Sequence, residues 1–208
     1  HSKKISILTR LGKKDKGLMD VCKANTEYVL RRNNIDKDIK IKFQKLKEGL
    51  NLKNDITLIE SYDVSHHATK NAVAGCVVYS DQGKVNALYR SYNISKTNWG
   101  NDIGSMMELV KRRFSNTDLR KLPSLVIIDG GKTHLKKVLE AFKDCNIPEI
   151  NVIAISKGVR RKSSFDTIHL FDGKSIVVDS TSIFHQFIQE IRDETHRYAI
   201  TIQKKKMR

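Results

Sequence analysis

The sequence predicts an α/β fold: a mixed sheet, part antiparallel meander and part parallel strands, flanked by helices. Three observations carry this. From residue 58 onward, apolar runs of strand length recur, and the first of them are joined by hairpin-type turns such as Ser80-Asp-Gln-Gly83. From residue 101, segments with helical apolar spacing alternate with short continuous apolar runs. The chain has 208 residues and is 39% hydrophobic, enough core for one large domain or a domain with a small appendage.

The elements follow in order. Residues 3–9 alternate as a strand, and Arg10, Lys13, Lys14 and Lys16 fall in a basic loop bounded by Gly17. Leu18, Val21, Cys22, Val29 and Leu30 recur at helical spacing over 18–32, and 33–47 reads as a polar connector or a second helix. Residues 1–50 are therefore expected to be a strand–helix lead-in packed on the main domain, which occupies 51–208. Strands are expected at 58–63, 72–79 and 85–92, forming the meander. A helix over 101–114 places Ile103, Met106, Met107, Val110 and Phe114 on one face, with Lys111, Arg112 and Arg113 at the end that favours cations. A buried-type strand at 125–128 breaks at Gly130-Gly131 and leads into a helix over 133–142. Another strand at 152–155 precedes a basic loop over 157–162. Short strands at 167–170 and 175–178 join through Asp172-Gly173, and the last helix runs over 182–202.

Lys and Arg number 39 against 23 Asp and Glu, a formal net charge of +16. Such an excess is the signature of a polyanion binder and points first to nucleic acid. The three cysteines, Cys22, Cys76 and Cys145, are widely spaced and form no Cys-x-x-Cys, so neither a zinc ribbon nor a disulfide framework is suggested, and reduced thiols in a cytosolic protein fit best. No apolar stretch approaches the roughly 20 residues of a membrane span. The start has no apolar region of a signal peptide and no initiating methionine, as expected of a fragment of a longer chain.

Three distant segments put ionisable groups where a phosphodiester-cutting site needs them. Asp63 follows the apolar run from Leu58, where a carboxylate can project from a rigid strand. Asp129 follows Leu125-Val-Ile-Ile, and a carboxylate at the end of a buried strand is costly unless something pairs it. The two glycines after it allow a sharp turn or close approach of a ligand, and Lys132 can then meet a phosphate. His196 lies among charges on the last helix, with Asp193 three residues earlier as a group that could orient it. Two carboxylates and a histidine can hold a divalent cation and activate water. Asp102 is a supporting acidic residue, although Asn101 or Asp102 also suits a helix N-cap. Lys157, Arg160, Arg161 and Lys162 suit DNA backbone phosphates. Tyr62, Tyr89 and Tyr92 are equally suited to base stacking and to core packing. The tandem His66-His67, read as part of a polar loop, is a weak metal motif.

In this element order the first and fourth strands of the sheet can be neighbours, which would bring Asp63 and Asp129 together; the order is that of ribonuclease H-like nucleases. The blocks Ile59-Glu-Ser-Tyr-Asp-Val-Ser-His66, Ala74-Gly-Cys-Val-Val78, Tyr89-Arg-Ser-Tyr-Asn-Ile94, Leu125-Val-Ile-Ile-Asp-Gly-Gly-Lys132, Ala154-Ile-Ser-Lys-Gly158 and Ile191-Arg-Asp-Glu-Thr-His-Arg-Tyr-Ala199 together resemble the C-terminal half of the UvrC family of bacterial nucleotide excision repair. Thr133-His134 and Ser163-Ser-Phe-Asp166 depart from the family's usual pattern.

The resemblance implies a ribonuclease H-like endonuclease domain that incises DNA on the 5′ side of a lesion. It implies a catalytic set of Asp63, Asp129 and His196, with Asp102 at a further acidic position. Mg2+ or Mn2+ would be the cofactor, held by Asp63, Asp129 and His196. The partners implied are damaged double-stranded DNA and UvrB, with no membrane and no small-molecule cofactor. The resemblance also implies further modules outside this stretch: one for the 3′ incision, a UvrB-binding segment and a helix-hairpin-helix DNA-binding module. Water would attack in line and leave a 3′-hydroxyl and a 5′-phosphate. Two readings compete: a non-catalytic nucleic-acid-binding module, and another ribonuclease H-like nuclease such as a recombinase.

Overall fold

The computed structural model describes residues 12–67, 71–115, 122–145, 148, 150–157 and 165–206. The expected strand at 3–9 lies outside them, as do Arg160, Arg161 and Lys162. The chain divides into two compact units, His1–Asp38 and Ile39–Arg208. In the first unit the described residues belong to α1 (Lys13–Gly49), where Leu18, Val21 and Val29 are exposed. From Lys13 the expected basic loop is therefore helical, and the segments 18–32 and 33–47 are one helix. No Gly or Pro stands between Leu18 and Glu48 to stop it. The last turns of α1, from Ile39, belong to the second unit, so its boundary falls before residue 50.

Among the described residues, the second unit is built on an eight-stranded mixed sheet. Its elements are β1 (Leu58–His67), β2 (Asn71–Ser80), β3 (Gly83–Lys84), β4 (Arg90–Asn93), α2 (Asp102–Phe114), β5 (Leu125–Asp129), α3 (Lys132–Asp144), β6 (Asn151–Lys157), β7 (Phe165–Leu170), β8 (Ser175–Asp179) and α4 (Ile183–Lys206). The strand order is β3-β2-β1-β5-β6-β7-β8, with β4 also on β2. The antiparallel meander and the β1–β5 neighbourhood are as expected. The single strand expected at 85–92 is instead broken into β3, a 3-10 turn at Asn86–Leu88, and β4. Tyr79 pairs with Lys84 and Cys76 with Arg90, so the stretch from 84 to 90 is too long for its partner and the excess loops out. His66 and His67 close β1 rather than lying in a loop.

Strand alternation sorts the core into two layers. On one face Tyr62, Ala74, Val78, Val126, Ile128 and Val152 pack against Met106, Leu109 and Phe114 of α2 and Leu135, Val138 and Phe142 of α3. On the other, Ile59, Val77, Leu125, Ile127, Ile153 and Ile168 pack against Phe184, Phe187, Ile188 and Ile191 of α4 and Phe43 and Leu46 of α1. Each such side chain contributes about 1.5–3 kcal/mol when fully buried. Because the period is two, residues 59, 61 and 63 of β1 and 125, 127 and 129 of β5 all look toward α4.

Candidate active site

The parallel pairing of β1 with β5 runs from Ile59↔Leu125 to Tyr62↔Ile128. Asp63 and Asp129 are the next residue on each strand, on the same face of neighbouring strands that lie about 4.8 Å apart. β1 continues to His67, so Asp63 marks the end of the shared ladder rather than the end of its strand. Asp129 does end β5. The chain then turns at Gly130, whose φ of +146° favours glycine. A Cβ there would come within 2.6 Å of the His134 ring. Gly131 then serves as the N-cap of α3.

The third component arrives from α4. Gly75 is the register partner of Asp63. A Cβ on Gly75 would lie 3.2 Å from Ala199 Cβ and from the Tyr198 ring. The glycine therefore lets α4 approach the sheet at the level of Asp63, and His196, one turn earlier, reaches it: His196 Nδ1 is 2.8 Å from Asp63 Oδ2. The carboxylate bonded to His196 is Asp63, not the helical neighbour Asp193. A carboxylate only accepts, so Nδ1 donates and Nε2 is the basic nitrogen. The Asp63 side chain is 15% exposed and that of His196 64%.

Asp63, Asp129 and His196 line one cleft of about 390 Å³, together with Gln189, Arg192 and Asp193. Asp129 is exposed at the end of β5 rather than buried, and Arg192 Nη2 lies 3.4 Å from its Oδ1. Arg192 also faces Asp166, at the start of β7, with Nη1 3.8 Å from Oδ2. Asp166 accepts from Gln189 and pairs with His185 at 3.2 Å. His185, Gln189, Arg192 and His196 share one face of α4 at i, i+4, i+7 and i+11, a spacing legible in the sequence once His196 is chosen.

The remaining sequence candidates lie elsewhere. Asn101 caps α2, accepting from the Gly104 N–H at 2.9 Å, and Asp102 is the first helical residue; Asp102 does not line the cleft. Lys132 opens α3 and lines a separate groove of about 440 Å³ with Leu135, Lys136, Lys143 and Phe171. Lys157 ends β6. Tyr62 is fully buried and donates to Glu60 at 2.6 Å, which excludes base stacking for it. Tyr89 donates to Glu194 at 3.2 Å and packs edge-on against Tyr198, and Tyr92 carries the Arg112 guanidinium 5.4 Å from its ring centre.

The chain is similar in sequence to a set of bacterial proteins. UvrABC system protein C of Pseudomonas fluorescens (strain Pf0-1) is 36% identical over 163 residues, 77% of this chain and 27% of that protein. The Xanthomonas campestris pv. campestris (strain B100) protein of the same name is 35% identical over 158 residues, 75% of this chain and 26% of its own length. The chain thus spans about a quarter of the curated relatives it matches. Among solved structures, Ciona intestinalis endonuclease V bound to an inosine-containing DNA aligns with a TM-score of 0.39 at 13% identity, covering 66% of this chain and 61% of that one. The C-terminal lobe of a budding yeast Argonaute aligns with a TM-score of 0.37 at 15% identity, covering 72% and 36%. A family model described as the UvrC RNAse H endonuclease domain matches residues 47–200. The chain, with its mixed sheet and its blocks around Asp63, Asp129 and His196, belongs to the UvrC ribonuclease H endonuclease domain family.

Proposed function

We propose that this chain is a divalent-metal-dependent DNA endonuclease domain that makes the incision 5′ of a lesion, in the cytoplasm, on damaged double-stranded DNA presented by UvrB. The observation that carries the reading is the single cleft holding Asp63, Asp129 and His196, with His196 bonded to Asp63 at 2.8 Å. The family membership supports endonuclease chemistry in excision repair.

Two carboxylates on adjacent strands suit a hard cation that keeps much of its water and takes phosphate oxygens as further ligands. Among the described residues no three His, Cys, Asp or Glu side chains are grouped to hold a metal ion, so Asp63, Asp129 and His196 do not form a ready three-ligand site. Asp63 and Asp129 would hold Mg2+ or Mn2+, with the remaining ligands coming from solvent and substrate. Bound there, such a cation would polarise the scissile phosphate and acidify a water. Asp63 fixes the ring of His196 through Nδ1 and leaves Nε2 to take and return a proton. Attack in line would yield a 3′-hydroxyl and a 5′-phosphate. Lys132, which opens α3 three residues after Asp129, would hold backbone phosphate without reading sequence.

The test is nicking of a duplex already cut 3′ of a lesion and loaded with UvrB, by a longer chain that includes the DNA-binding module. Wild type is expected to nick only with Mg2+ or Mn2+, and Asp129→Ala not at all. Equal nicking by both overturns the assignment. Binding without nicking by either favours the non-catalytic module.

A further inference from the structure

Arg192 stands between two carboxylates. Its guanidinium is 3.4 Å from Asp129 through Nη2 and 3.8 Å from Asp166 through Nη1, and its side chain is 19% exposed. Neither contact is the close two-pronged fork that commits an arginine to one carboxylate. The anchors also differ in kind. Asp166 is 17% exposed and is held by His185 and Gln189 from the same face of α4. Asp129 is 45% exposed and faces the cleft. Asp166 is the more buried of the two anchors, and Asp129 is the one exposed toward the cleft.

We propose that Arg192 is a positioning residue that competes with the divalent cation for Asp129, with Asp166 as the second anchor to which the guanidinium withdraws. The inference rests on the proposed function, in which Asp129 takes a metal. A fixed positive charge 3.4 Å from that carboxylate opposes a second cation there. Asp166 weakens the opposition by sharing the guanidinium. Once withdrawn, Arg192 still lines the cleft, and its planar donors match a phosphate.

The experiment is a titration of the 208-residue chain with Mn2+, free metal being read by electron paramagnetic resonance, for wild type, Arg192→Gln, Arg192→Lys and Asp166→Asn. Arg192→Gln is expected to bind Mn2+ at least fivefold more tightly than wild type, and Arg192→Lys to stay close to wild type. Asp166→Asn is expected to bind several-fold more weakly, because the guanidinium loses its second anchor. A purely structural role for Arg192 would weaken binding in Arg192→Gln, and that result, or an unchanged affinity beside normal wild-type binding, overturns the proposal. Should Asp166→Asn fail to fold, the Gln–Lys pair at 192 decides alone. Absence of Mn2+ binding in both wild type and Arg192→Gln overturns the metal reading itself, and this inference with it.

Discussion

Two carboxylate pairings on one strand, three residues apart, have opposite characters. Glu60 and Arg113 meet at 2.5 Å with side chains 4% and 3% exposed. The Glu60 carboxylate also takes the Arg113 Nε at 2.9 Å, the Tyr62 hydroxyl at 2.6 Å and the Cys76 thiol at 3.8 Å. Burial pushes both the Tyr62 hydroxyl and the Cys76 thiol well above their usual ranges, with the Glu60 charge adding to it. Every group in that cluster is committed to another. Asp63 and His196 meet at a similar distance, 2.8 Å, but in an open cleft with one ring nitrogen left for chemistry. The difference comes from strand parity: residue 60 faces α2, residue 63 faces α4. A charge on a strand is structural or reactive according to the layer that covers it.

The comparison can be broken in four ways, taken from the largest expected effect down. Asp63→Asn should slow nicking about 10³–10⁴-fold, the range expected when a general base loses its orienting partner and a cation loses a ligand, while thermal unfolding stays near wild type. A loss of stability equal to that of the next variant would show that the open pair is structural too. Glu60→Gln should cost about 3–5 kcal/mol, since it strands a buried guanidinium, and chemical denaturation would measure it. Full stability in that variant would contradict the sealed character of the pair.

The third concerns Glu194, whose side chain is 8% exposed although it lies two residues from His196. The Arg197 hydrogen bond, opposed by burial and aided by Lys84, lowers its pKa from 4.5 to about 2. A depressed carboxylate stabilises the fold above its unfolded value and loses that contribution as pH falls. Its contribution should therefore be complete above about pH 4.5 and gone by about pH 2. We expect about 1–2 kcal/mol, reduced by the exposure of Arg197 and Lys84. Unfolding of wild type and Glu194→Gln between pH 6 and pH 2 should converge in acid, and parallel curves would refute the linkage. The smallest effect is at the surface. Lys132→Gln with Lys136→Gln should weaken DNA binding several-fold and lower the salt slope by about 0.9 for each phosphate that is no longer neutralised. An unaltered slope would remove α3 from the DNA interface.

Much of this was legible in the residues. The apolar runs placed β1, β2, β5 and β6, and the helical periods placed α2, α3 and α4, because burial of one face leaves a period that a sequence displays. Asp63 and Asp129 stood out because each follows an apolar run, and His196 because it lies among charges on a helix and completes a set with them. The partners of those groups were not legible. Glu60 and Arg113 are 53 residues apart, and Arg192 and Asp166 are 26 apart on different elements. A pairing across the sheet leaves no periodic trace. The break in the third strand was hidden for a similar reason, since it depends on the length of the segment opposite it on β2.

The sequence by itself determined the apolar strands β1, β2, β5 and β6, the helices α2, α3 and α4 and the basic character, which follow from local pattern and composition, and its resemblance to a family singled out Asp63, Asp129 and His196. Only the tertiary structure decided that Gly75 lets α4 close on Asp63, that Arg192 is shared between Asp129 and Asp166, and that Glu60 is sealed while Asp63 is open. Each of those depends on which layer covers which strand face and how closely, and that distance is set by packing between segments far apart in the chain.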